Sequence, residues 1–479
     1  MDAPDRPLHW TPDEFRRHGH EVVEWVARYL EGLEDRPVAS SVEPGWVRAQ
    51  LPPSPPEEAE PFADVLADLD RVVLPGVTHW QHPGWFAYFP TGASGPSVLA
   101  DLVSSGLGIQ GMLWSTSPAC TELETHVLDW MAELLGLPQR FRSGGEGGGV
   151  IQDSASGATL CALLAARWRA AGDGPFDRLR LYASSQAHSS IEKAVRIAGL
   201  HPSQLRTIAV DDAFAARRDS LAALMAEDRA AGLIPFFVVA NVGTTSSTAL
   251  DPVGALADVC AEHGAWLHVD AAHAGAHLVV PELRWIADGV DRADSFCMNP
   301  HKRLLTNFDC DCFWVADRAA LLGALSVLPE YLRNAASDSG AVIDYRDWQV
   351  PLGRRFRALK LWFVVRSYGA EGLRQHVRHQ TALAQSLAAR LAAHPLLEVV
   401  APHPLDLVCF RHLDGDAATE ALMAAVNASG RVHLTHTRLG DRFVIRVAVG
   451  TQATEARHVD DLWSLLDHHA GRLAAGVDR

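Results

Sequence analysis

The chain has 479 residues, 48% of them hydrophobic and 21% charged, with a formal net charge of −16 from 58 acidic and 42 basic side chains. That length exceeds what one hydrophobic core usually serves, so two or three domains sharing an interface are expected, and the composition excludes a largely disordered chain. No Lys/Arg-rich run that could track a phosphate backbone is present, which argues against nucleic acid as a partner, and no apolar run approaches the roughly 20 residues that cross a bilayer, so no membrane association is expected.

Residues 1–10 are polar and contain proline, without the basic start and apolar stretch of a secretory signal. The seven cysteines are scattered and form no CxxC pair, as expected of reduced thiols in a cytoplasmic protein. Cys310 and Cys312 read as buried strand residues, and no metal site is expected. Thr11-Pro12-Asp13-Glu14 supplies a cap, a first-turn proline and first-turn acids, which predicts an amphipathic helix over residues 11–32 carrying Val22, Val23, Val26, Tyr29 and Leu30 on one stripe. The Pro-rich stretch 51–56 follows as a surface connector.

Between about residues 95 and 320, short apolar runs alternate with helical segments, among them 236–240, 266–269 and 312–315. That alternation predicts buried strands of a mostly parallel α/β sheet. Beyond about residue 373, Ala/Leu-rich helices surround the strand candidates 407–410 and 443–447, which predicts a smaller α+β domain. The expected division is an N-terminal helical segment over 1–90, a large domain over 91–370 and a small one over 371–479.

Four segments carry chemistry together. Lys302 follows His301 at the end of the strand-like run 295–298, and a lysine in an apolar setting has the depressed amine pKa that Schiff-base chemistry uses. Asp270 closes a second run and precedes small residues, which suits a carboxylate beside a pyridine nitrogen, or alternatively a helix cap. His188, ahead of Ser189-Ser190, sits at a strand-to-helix turn where it could stack on a flat ring or serve as a structural hydrogen-bonder. Residues 147–159, rich in glycine and small hydroxyls ahead of a helical run, offer an anion cradle at a helix N-terminus, or a flexible loop. Each signal alone is weak; the four converge on one pyridoxal-phosphate site.

In order along the chain, the stretches SPACTELE at 117–124, QAHSS at 186–190, HVDAA at 268–272, NPHK at 299–302 and PLGRRF at 351–356 resemble the group II pyridoxal-phosphate decarboxylases, in the aromatic-L-amino-acid decarboxylase branch. The resemblance runs from about Glu14 to about Trp463. It implies the fold of the aspartate-aminotransferase-like enzymes (fold type I): a mostly parallel seven-stranded sheet, in a homodimer with its active site at the subunit interface and the N-terminal segment packed on the partner. By position it implies that Lys302 bonds the cofactor, Asp270 faces the pyridinium and His188 stacks on the ring. Ala155, Ser156, Asn299 and His301 would bind the phosphate, with Leu352 and Gly353 approaching from the other subunit, while Thr245 and Ala272 lie beside the cofactor. Trp80, Tyr88, Phe89, Pro90 and Thr91 match the substrate pocket, as do Gln110 and Met112, with His188 also facing the substrate. Tyr331 matches the family's proton donor, on a mobile loop expected over roughly residues 322–344.

The implied reaction is decarboxylation of an aromatic L-amino acid such as dopa, tyrosine, 5-hydroxytryptophan or tryptophan. Relatives that instead form aldehydes oxidatively tend to replace His188 by asparagine or Tyr331 by phenylalanine, so the presence of both favours the simple reaction. Gly353 stands where histidine decarboxylases have serine, which favours a larger aromatic substrate. The chain departs from the family at Arg303, where tryptophan is usual, and at His273, where tyrosine is common. Gln110 and Met112 occupy positions more often apolar or aromatic, and Asp153 and Gly157 flank the phosphate loop in an unusual pairing.

Overall fold

Thr11 caps the first helix, Pro12–Glu31, as the sequence predicts: its Oγ1 accepts the Glu14 N–H at 3.2 Å while the Glu14 carboxylate accepts the Thr11 N–H at 2.9 Å. The protein is seen here as a computed structural model that describes residues 9–327 and 342–475. No residue of this first helix is buried, and Phe15, Val22, Val23 and Leu30 all stay exposed. The helix Gly95–Leu107 likewise leaves Val98, Leu99, Leu102, Val103 and Leu107 in the open.

The large sheet is built from β1 (Gly148–Gln152), β2 (Leu179–Ser184), β3 (Leu205–Ile208), β4 (Ile234–Asn241), β5 (Trp266–Asp270), β6 (Ser295–Met298) and β7 (Asp311–Val315). Their order is β1-β7-β6-β5-β4-β2-β3, with β7 antiparallel to both its neighbours and every other pairing parallel. Both faces are covered, so the strands read as continuous apolar runs rather than alternating ones. On β4, Val238 and Ala240 join the core that holds Met131 and Leu267, while Phe237 and Val239 join the core on the other face, with Ala158 and Ala162 of the helix Ala155–Ala171.

A second sheet, wholly antiparallel, has the order β10-β11-β9-β8, from β8 (Leu397–Val399), β9 (Leu407–His412), β10 (Thr435–Leu439) and β11 (Arg442–Ala448). The helices Asp416–Ala428 and Ala456–Ala474 share its core. The long helix Arg357–Ala393 spans both regions and is broken at Gly369, whose φ of 65° lies in the left-handed region that glycine adopts without strain.

Two of the motif stretches meet beside the large sheet. Arg354 and Glu124, both fully buried, form a two-pronged ion pair with N–O distances of 2.6 and 3.0 Å. The same carboxylate accepts the Ile151 N–H at 2.8 Å, and Arg354 donates to the Ile151 carbonyl at 2.9 Å. This clamp fixes β1, the strand that leads into the glycine and serine loop. All seven cysteines are buried and unpaired, Cys312 within β7. Of the loop expected over roughly 322–344, residues 322–325 are instead the end of the helix Arg318–Leu325, because Asp317 caps that helix by accepting the Ala319 N–H at 2.9 Å. At the far side Asp344 accepts the Trp114 N–H at 2.8 Å; Tyr331 lies outside the described residues. Among the described residues, no helix is long and apolar enough to cross a membrane.

Candidate active site

Parallel strands deliver their last residues to one edge of the sheet, where ligands of α/β proteins generally bind. Here the register sets Asn241, the last residue of β4, beside Asp270, the last of β5, and Asp270 beside Cys297 of β6. After β6 the chain turns through Asn299 into the short helical segment Pro300–Arg303. The result is a cavity of about 200 Å³ lined by Ala155, Ser156, His188, Thr245, Asp270, Ala272, Asn299, His301 and Lys302, with Phe89 and His273 also on its wall. Every candidate cofactor residue except Leu352 and Gly353 is therefore gathered in one place.

The polar groups of the cavity are each held in a definite state. Asp270 Oδ1 accepts the Ala272 N–H at 3.1 Å, which fixes the carboxylate. Burial lowers the Lys302 amine pKa, with Asp270 pulling the other way, so the amine is easier to deprotonate than an exposed lysine. His188 Nδ1 accepts the Ser190 N–H at 3.1 Å, and burial depresses the imidazole pKa, so the neutral ring carries its proton on Nε2. His301 repeats the pattern: Nδ1 accepts the Cys310 N–H at 2.9 Å and burial pushes its pKa down to about 3, leaving Nε2–H as a donor. At the start of the helix Ala155–Ala171, the Ser154 hydroxyl accepts the Gly157 N–H at 3.3 Å and its carbonyl accepts the Ala158 N–H at 3.0 Å, and Ser154, Ala155 and Ser156 at this helix N-terminus line the cavity. The Asn299 side-chain oxygen is buried without a partner.

The substrate candidates divide. Phe89 lies on the cavity wall with its ring centroid 5.4 Å from Lys302 Nζ. Trp80 and Tyr88 stack on each other at 5.4 Å with planes 10° apart, and both are exposed. Pro90 is buried, and Thr91 is held by Gln81, whose side-chain amide donates to its carbonyl and its hydroxyl. The next residue, Gly92, donates to the His301 carbonyl at 2.7 Å and so pins the segment to the Lys302 turn. Gln110, Met112, Leu352 and Gly353 are not brought to this cavity by their own chain. They form a separate group in which Gln110 Oε1 accepts the Arg354 N–H at 2.6 Å and the Met112 carbonyl accepts the Arg346 N–H at 3.0 Å. A methyl group added at Gly353 would lie 3.2 Å from Gln110 Nε2.

One residue beside the site lies outside all the sequence motifs. Arg446 of β11, in the other sheet, donates to the Thr245 carbonyl at 2.5 Å and holds its guanidinium carbon 5.2 Å from the Phe89 ring centroid. It is the one charge within the buried apolar run from Phe443 to Ala448, the signal by which the sequence could mark it, and the packing of the small sheet against the large one brings it here.

This donor set fits pyridoxal phosphate: a carboxylate for the ring nitrogen, a flat neutral imidazole, an amine of lowered pKa, and a helix N-terminus with the His301 donor for an anionic arm. The family model described as "Pyridoxal-dependent decarboxylase conserved domain" matches residues 44–413. The chain belongs to the pyridoxal-dependent decarboxylases. This decarboxylase is 46% identical to phenylacetaldehyde synthase of Arabidopsis thaliana, with 96% of each chain covered. It is 45% identical to aromatic-L-amino-acid decarboxylase of Mus musculus, over 97% of this chain and 98% of that protein. The crystal structure of Oryza sativa TDC with PLP and tryptamine superposes with a TM-score of 0.95 at 42% identity, covering 98% of this decarboxylase and 99% of that chain.

Proposed function

We propose that this decarboxylase converts an aromatic L-amino acid to its amine and CO₂, with Lys302, Asp270, His188 and Tyr331 as its catalytic residues. The observation that carries the reading is the meeting of Lys302, Asp270 and His188 at one cavity whose wall is the Phe89 ring. The aromatic run through Trp80 and Tyr88 into Phe89 supports a flat apolar substrate.

When bound, pyridoxal phosphate supplies the electron sink for the pair left behind as CO₂ departs. Ala155, Ser156, Asn299 and His301, which line the cavity, would hold its phosphate, and Thr245 and Ala272 would flank it. Asp270, fixed by the Ala272 amide, would keep a proton on the ring nitrogen. Lys302, with its lowered amine pKa, would hold the cofactor and, as a neutral amine, can accept and donate a proton at Nζ. His188 presents Nε2–H from a ring that Ser190 holds flat. Trp80, Tyr88, Phe89 and Pro90 enclose the aromatic side chain, and Thr91 helps hold the carboxylate. Tyr331, outside the described residues, returns the proton to Cα.

The working form in this reading is a cytoplasmic homodimer. The exposed apolar faces of the helices Pro12–Glu31 and Gly95–Leu107 support it, because apolar patches of that kind mark protein interfaces. The group Gln110, Met112, Leu352 and Gly353, remote from its own chain's cavity, then serves the partner's site, and the N-terminal segment packs on the partner. Seven buried free thiols agree with a reducing compartment.

A second reading, oxidative conversion to the aldehyde, is raised by the likeness to phenylacetaldehyde synthase; His188 and Tyr331 favour the amine. The deciding experiment measures CO₂, amine, ammonia and peroxide from dopa, tyrosine, 5-hydroxytryptophan, tryptophan, phenylalanine and histidine. Amine with CO₂ in equal amounts is expected; ammonia and peroxide in equal amounts to CO₂ would overturn the reading.

A further inference from the structure

His273 and Arg303, two departures from the family pattern, converge on a single acid. Asp406, the residue before β9, is almost fully buried. Its Oδ1 lies 2.7 Å from His273 Nε2, and its Oδ2 lies 3.0 Å from His277 Nε2 and 2.6 Å from Arg303 Nη2. Asp406 stands beside the small sheet, and its partners come from two other places: the loop and short helix after β5, and the turn that carries Lys302. Room for the guanidinium is made by Gly450, where an added Cβ would sit 1.0 Å from Arg303 Nη1.

Two histidines and an aspartate within 4.8 Å of one another are also the components of a metal site. The geometry speaks against one. Both imidazole nitrogens already stand at hydrogen-bond distance from the carboxylate, and a cation, Arg303, shares the same oxygen as His277. A dication bonded to all three at the usual 2.0–2.2 Å would displace these contacts and face an adjacent positive charge. The protonation states agree. Burial pushes His273 down to about 3, so it is neutral and donates Nε2–H to Asp406. Burial alone would raise the Asp406 carboxyl, but Arg303 and the two imidazoles hold it well below the carboxylate range.

What this network holds is a wall of the substrate cavity. The His273 ring lies against Phe89 with centroids 3.7 Å apart and planes 16° from parallel. Phe89 has no polar atom with which to fix its own orientation: it packs with Leu407, Cys409 and Val444 of the small sheet and under the Arg446 guanidinium, and His273 is the flat ring stacked on it. We propose that Asp406 and His273 are positioning residues that set which aromatic side chain the enzyme prefers: Asp406, anchored by Arg303, orients His273, and His273 sets the tilt and depth of Phe89. The proposal rests on the aromatic-decarboxylase reading.

The test uses the full-length holoenzyme and the variants Asp406→Asn, His273→Tyr and the double variant. The measurements are kcat and KM for tryptophan and phenylalanine, and calorimetric Kd values for the unreactive analogues indole-3-propionate and 3-phenylpropionate. Each single variant is expected to change the indole-to-phenyl ratio of kcat/KM, and of Kd, by about tenfold, carried in KM rather than kcat. Adding Asp406→Asn to His273→Tyr should move the ratio no further, because the acid acts through the imidazole. Should Asp406→Asn fail to fold, His273→Phe, which leaves the Arg303–Asp406 pair intact, must give the same shift. Ratios unchanged in folded variants, or a uniform fall in kcat for both substrates, would overturn the proposal while leaving the reaction assignment standing. Absence of wild-type turnover with every aromatic amino acid would overturn both.

Discussion

Replacing Glu124 by alanine should destabilise this decarboxylase severely and loosen its cofactor. The substitution removes both acceptors of the Arg354 fork and the acceptor of the Ile151 N–H. Arg354 is 1% exposed in its side chain and cannot recover its hydration where it stands. Leaving one member of a buried ion pair uncompensated costs about 3–5 kcal/mol, and an orphaned buried amide roughly 1–3 more. Against a typical net stability of about 5–15 kcal/mol, that is a large fraction. The effect should reach the site because Ile151 belongs to β1, which ends two residues before the cap Ser154. The assay is urea unfolding at fixed protein and cofactor concentration, read by tryptophan fluorescence, together with cofactor retention after gel filtration. Glu124→Gln, which keeps the shape and one acceptor, should lose less. Pairing Glu124→Met with Arg354→Leu removes both charges and should recover most of the loss. A Glu124→Ala protein within about 1 kcal/mol of wild type would falsify the claim that this clamp is buried and uncompensated once broken.

Lys302→Ala should abolish turnover and the visible absorbance of the bound cofactor while leaving the thermal transition of the apoprotein nearly unchanged; a band surviving in this variant would displace Lys302 from its role. Asp270→Asn should lower kcat by about a hundredfold or more with little change in KM, since the carboxylate acts on developing charge and not on substrate capture; steady-state kinetics decide it. His188→Asn should shift product from amine toward aldehyde, seen as new ammonia and peroxide, and an unchanged product ratio would count against that assignment. Acid should destabilise the fold steeply. Burial holds His268 and His376 at about 4, and His273 and His301 at about 3, against 6.5 unfolded. The unfolded chain therefore binds more protons below pH 6.5, and stability, fully present above that value, falls as pH drops toward 4. Each imidazole adds up to about 1.4 kcal/mol per pH unit to the slope, which unfolding midpoints across pH 4–7 will reveal.

The sequence by itself determined much of this protein. The capped first helix, the buried strands 234–241 and 266–270 and the helix after Ser154 were legible because caps, unbroken apolar runs and glycine clusters act within a few residues. The chemistry of Lys302, Asp270, His188 and the phosphate loop was legible too, since residue types that suit one cofactor stand at the ends of consecutive elements. What only tertiary structure decided is how distant segments meet. Glu124 and Arg354 are 230 residues apart, and neither position announces a partner. Arg446 reaches Phe89 only because the small sheet packs against the large one. Arg303 and His273 read along the chain as two unrelated oddities. Asp406, remote in sequence from both, makes them one network, because a buried charge must find its counter-charge wherever the fold supplies it.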